Sequence, residues 1–80
     1  MDTYIIYVES GEVLGAAEAD DHKTAAEAVV NGVEWPGDPF AVEVEAVRVT
    51  DQEYDVPDEM DTSDPAVEMV ESGLRVVVHE

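Results

Sequence analysis

Residues 64–79 read Asp64-Pro65-Ala66-Val67-Glu68-Met69-Val70-Glu71-Ser72-Gly73-Leu74-Arg75-Val76-Val77-Val78-His79. An aspartate carboxylate can cap a helix, proline suits the first helical position and glycine suits a stop, so Asp64, Pro65 and Gly73 punctuate a short helix. The stretch predicts a helix from Asp64-Pro65 to about Ser72, with Val67 and Val70 facing a core and Met69 at its edge. Leu74 to His79 follows as a strand. Its unbroken Val76-Val77-Val78 suits a central strand buried on both faces.

Working back toward the N-terminus, Thr3 to Val8 is rich in β-branched and aromatic residues, and Glu9-Ser10-Gly11-Glu12 is a turn signal. Val13 to Ala19 is then the returning strand of a hairpin, in which Gly15 marks a bulge or a close backbone approach. A helix is expected from about His22 to Asn31, capped by Asp20-Asp21, with Asp21 the favoured N-cap, and stopped by Asn31-Gly32. Ala25, Ala28 and Val29 recur at helical spacing and form the face that covers the sheet. Trp35-Pro36-Gly37-Asp38-Pro39 forbids regular structure and makes a loop. Phe40 to Thr50 is the longest strand: Phe40, Val42, Val44 and Ala46 point one way, Glu43 and Glu45 the other. Val47 and Val49 then shift the apolar phase, which calls for a bulge or a strong twist near Ala46. Residues 51–63 form an acidic connector with a brief extended piece at Glu53 to Val56.

This order, ββαβ followed by αβ, predicts one α+β domain over residues 1–80: a four-stranded, mostly antiparallel sheet with two helices on one face. The hairpin leading through Ala19-Asp20-Asp21 into an Ala-rich helix resembles small ββαβ modules of virus-encoded and microbial proteins. That likeness is confined to the first third of the chain.

The charge narrows the function classes. Twenty-one Asp plus Glu stand against 3 Lys plus Arg, a formal net charge of −18 on 80 residues. A folded chain of this size exposes roughly 4,700 Å², about one net negative charge per 260 Å². Direct binding to nucleic-acid phosphate by a basic face is excluded, as is adsorption to an anionic membrane. The absence of cysteine excludes a disulfide framework, a Cys-ligated zinc and a thiol nucleophile. No apolar run reaches the ~18 residues of a membrane-spanning helix, and Met1-Asp2-Thr3 lacks the basic start of a signal peptide. A soluble chain in a high-salt cytoplasm or within a virion is expected.

Hydrophobic residues make up 45% of the chain, too many for a disordered acidic tail. Val supplies 15 of them and Ala 9, so the core is built from small side chains and buries little area per residue. Self-repulsion opposes that core at about 0.1 M salt, where the Debye length is roughly 10 Å, and is screened at molar salt, where it is about 3 Å. This profile, one Lys among abundant Asp and Glu with Val and Ala in place of bulkier residues, resembles proteins of haloarchaea and their viruses. The resemblance is compositional, covers the whole chain and implies a habitat. A rival reading is a DNA mimic whose carboxylates imitate a phosphate path. Mimicry asks for carboxylates along one face, whereas here they run through nearly every segment.

Candidate chemistry is sparse. Asp51, Glu53 and Asp55 alternate like the first ligands of a calcium loop, but Val56 stands where glycine is needed and Thr62 where a bidentate Glu belongs. A loose Ca²⁺ or K⁺ site over 51–61 is the most this pattern supports, so no metal ligand and no cofactor are assigned. His22 and His79 have no partner at metal-binding spacing. Ser10, Ser63 and Ser72 sit in turn or cap contexts without a nucleophile elbow, and no catalytic residue is assigned.

Four aromatic residues mark the expected interaction surface: Tyr4, Tyr7, Trp35 and Phe40. Tyr4 and Tyr7 lie on opposite faces of the first strand, so one of them, with Ile5 or Ile6, forms an apolar patch on the face away from the helices. Trp35 either closes the core beside Phe40 or anchors a partner. A sheet covered on one face needs a second cover, and a second copy would supply it. The expectation is a non-enzymatic structural or interaction module, acting as a homo-oligomer or as a small subunit of a larger assembly.

Overall fold

The computed structural model describes residues 1–33 and 41–78. Its elements are β1 (Asp2–Tyr7), β2 (Val13–Ala19), α1 (His22–Asn31), β3 (Val42–Val49) and β4 (Val67–Val76). They build one antiparallel sheet in the order β2-β1-β3-β4, with α1 on one face.

The hairpin and first helix follow local chemistry. The Gly11 amide donates to the Val8 carbonyl (2.8 Å) and the Val8 amide to Glu12 (3.0 Å), closing the turn between β1 and β2. Tyr7 pairs with Val13 while Ile6 pairs with Gly15, so Leu14 is the extra residue of a bulge. A Cβ on Gly15 would meet Val29 Cγ1 at 3.2 Å, so the bulge also brings the backbone under the helix. Asp21 caps α1 from an extended conformation, its Oδ1 accepting from the Thr24 amide at 2.7 Å. The buried face of α1 is Ala25, Ala26, Val29 and Val30, and Ala28 is exposed, so the helix is rotated from the expected face.

The C-terminal third corrects the expected architecture. Among the described residues there is one helix where two were expected, and the order is ββαββ in place of ββαβ followed by αβ. Residues 67–72 pair with β3 as the first part of β4. Asp64 does accept backbone hydrogen bonds as a cap would: its Oδ1 takes the Ala66 amide at 2.9 Å and its carbonyl takes the Val67 amide at 3.3 Å. Those bonds close a turn that opens into a strand. A helix of about eight residues is marginal alone, whereas Val67 and Val70 suit a strand and β3 offers a full edge.

β4 is also an edge strand, not a central one: Val76 is buried, but Val77 is 54% exposed. Two register shifts put extra residues into β4, one at Val70 and one at Ser72-Gly73, on either side of the Ala46 pairing. Side chains in β3 keep strict alternation, with Ala46 in the cluster under α1 and Val47 in the opposite cluster. The apparent phase shift in the sequence arises because the second half of β3 is covered on both faces.

The cover on the second face is the acidic connector. Ile5, Tyr7, Val47 and Val67 form a cluster there, with Tyr54 and Met60 packed against it. No strand forms over 53–56, where a brief extended piece was expected, and the bridging residue is Glu59, paired with Glu12.

Candidate functional site

Two of the four aromatic residues, Tyr4 and Tyr7, lie among the described residues, and both are buried. Tyr4 and Tyr7 do point to opposite faces, yet each is only 5% exposed: Tyr4 lies under α1 and Tyr7 under the connector. The expected open apolar face at Ile5 and Tyr7 is closed by Tyr54 and Met60 from the same chain. Trp35 and Phe40, like His79, lie outside the described residues. Burial raises the hydroxyl pKa of both Tyr4 and Tyr7 above the usual tyrosine range, with Asp2 adding to it at Tyr4 and Glu45 at Tyr7.

On the helix side, β1, β3 and β4 bring two polar groups together. His22, in the first turn of α1, places Nε2 2.9 Å from Glu71 Oε1 and its ring 6.4 Å from that of Tyr4. Arg48, the cross-strand partner of Tyr4, donates from Nη2 to Glu68 Oε2 at 2.6 Å, with Asp2 Oδ1 4.0 Å from Nη1. The Glu68 hydrogen bond raises the Arg48 pKa further. Arg48 also borders an open groove of about 640 Å³ lined by Asp2, Glu18, Thr50 and Asp51. These solvated pairs tie β4 to its neighbours but stabilise it little.

Two of the connector carboxylates, Asp51 and Asp61, are engaged with their own backbone. Asp51 Oδ1 accepts from the Glu53 amide (2.9 Å), and Asp61 Oδ1 accepts from the Ser63 amide (3.0 Å) and hydroxyl (2.6 Å). The Ser63 bonds hold Asp61 below the usual aspartate range. Among the described residues, no three His, Asp or Glu side chains gather as a metal site would require. Ser72 donates to Glu45 at 3.1 Å. No described helix is long and apolar enough to cross a membrane.

Among the described residues, the outer side of β4 is left uncovered. No described strand bonds to it, and Met69 (45%), Val70 (37%) and Val77 (54%) stand exposed along or just beyond it. The opposite edge, β2, is flanked by α1 and meets the connector at Glu12. Reading 65–72 as a helix hid this edge. Two large apolar residues set six apart in an acidic stretch, Tyr54 and Met60, were the available signal that the connector covers a sheet face. No family model, curated protein or solved structure matches the chain.

Proposed function

We propose that this protein is a non-enzymatic interaction module of a haloadapted organism or its virus, working as a homo-oligomer or as a small subunit of a larger assembly. The observation that carries the reading is the β4 edge, an open row of backbone donors and acceptors beside exposed Met69, Val70 and Val77. The two bulges in β4 coil that edge and work against indiscriminate strand addition, which favours a shape-matched partner. Sedimentation equilibrium at molar KCl, where the Debye length is about 3 Å, tests it on the intact chain. A discrete oligomer that V70E shifts to monomer supports self-association through β4. A monomer that gains no protection along β4 in the presence of co-expressed neighbours in its assembly rejects the module reading.

A second reading keeps one structural support. The connector carries six carboxylates, Asp51, Glu53, Asp55, Asp58, Glu59 and Asp61, in a segment whose Tyr54 and Met60 pack on the sheet face away from α1. A like-charged segment of this kind suits a decoy for a nucleic-acid-binding protein. Haloadaptation accounts for the same charge and for the acids on the helix side, including Asp2, Glu68 and Glu71. A fold that persists unchanged at about 0.1 M salt favours the decoy.

A further inference from the structure

We infer that residues 51–66 form a salt-gated strap, closed over Ile5, Tyr7, Val47 and Val67 at high salt and released from the hairpin at low salt by repulsion between Glu12 and Glu59. The strap is tied at its base, where the Thr50 amide donates to the Ala66 carbonyl (2.8 Å) and the Thr50 hydroxyl to that of Pro65 (3.2 Å). Its far end is pinned to the hairpin by two backbone bonds, Val13 amide to Asp58 carbonyl (2.9 Å) and Met60 amide to Gly11 carbonyl (2.8 Å). Between those bonds, Glu12 and Glu59 stand directly opposite each other in an antiparallel bridge, both exposed. Like charges so placed oppose the pairing that holds them.

Distance decides how salt acts on this pin. Side chains directly opposite across an antiparallel pair lie about 5 Å apart at Cβ. That is well inside the Debye length of about 10 Å at 0.1 M and beyond the length of about 3 Å at 1 M. The strap carries no cation of its own, since no Lys, Arg or His occurs between Arg48 and Arg75. Among the described residues, the ion pairs join His22 to Glu71 and Arg48 to Asp2 and Glu68, and none draws on a strap carboxylate. The apolar hold is small: Tyr54 and Met60 pack inward while Val56 is 47% exposed. The cluster under α1 takes no residue from the strap, so release is a local opening that leaves the sheet and helix in place.

Amide hydrogen exchange on the intact protein, from about 0.1 M to 1 M KCl, reads the pin directly. The measured quantity is the protection of Val13 and Met60 divided by that of Val44, which normalises for global unfolding. This ratio should rise with salt. E12K, which turns the pair attractive, should raise the ratio at low salt by roughly two- to fivefold and remove most of its salt dependence, and E59K should do the same should E12K misfold. E27K makes the same charge change on the exposed side of α1 and should leave the ratio unaltered. The inference is overturned if Val13 and Met60 exchange in step with Val44 at every salt concentration, or if E27K moves the ratio as far as E12K.

Discussion

Gly73 holds φ at +70°, and an added Cβ would meet nothing within 4 Å, so any penalty there is backbone strain alone. Gly73→Ala should therefore lower stability by about 1 kcal/mol, and Gly73→Asn by less, because asparagine tolerates the left-handed region; urea midpoints at molar salt measure both. The tyrosines give a pH signature. Burial is the main reason that Tyr4, Tyr7 and Tyr54 are all raised above the usual tyrosine value, with nearby carboxylates adding to it. A raised folded-state value stabilises the fold below about pH 10, and that stability is lost as pH rises through the folded values. Phenolate absorbance should consequently appear above pH 10 and coincide with loss of circular dichroism. At the acid end the sign reverses. Asp21, held low first by the Thr24 amide, and Asp61, held low by Ser63, stabilise the fold above about pH 4, and this is lost as pH falls through their folded values. D21A should shrink that acid limb in pH-dependent melts, whereas D21S retains a capping oxygen and should lose less stability near neutral pH.

At the scale of elements, two covers press on one sheet. Ile5 lies under the strap and Ile6 under α1, both with no exposed area. I5A and I6A should each cost about 2–5 kcal/mol at molar salt. If the strap releases first as salt falls, the cost of I5A should shrink at about 0.1 M while that of I6A stays; equal costs throughout would mean that the two faces are lost together. The elements also differ in how legible they were. The hairpin and α1 are specified by short-range chemistry: the turn at 8–12, the Asp21 cap and the bulge at Leu14 beside Gly15. Around β4, Asp64, Pro65 and Gly73 present helix punctuation, while the pairing that overrides it lies about 20 residues away in β3. The Asp64 carboxylate makes a cap-like bond in either structure, so the local signal was sound and its continuation was not.

At the scale of the whole molecule, the net charge of −18 meets a core whose fully buried larger side chains are only Ile5, Ile6, Val30, Val44 and Val47 among the described residues. A chain this short is expected to hold only about 4–12 kcal/mol of stability. Repulsion of a few kcal/mol is then decisive, and the melting midpoint should climb steadily from about 0.1 M to molar KCl; a flat midpoint would remove the basis for a haloadapted reading. The candidate surface was less legible than the fold. Aromatic residues on opposite faces of one strand, as Tyr4 and Tyr7 are, imply that one is bare only if nothing else in the chain can cover the sheet. Tyr54 and Met60 do cover it, and the exposed large apolar side chains among the described residues are Met1, Val56, Met69, Val70 and Val77. Charge, core composition, the first hairpin and the capped helix follow from neighbouring residues and their solvent, and are therefore written locally in the chain. The fate of residues 64–78 and of the second sheet face depended on contacts between segments distant in sequence, where the free energy of strand pairing and apolar burial outweighs a short helix's own preference.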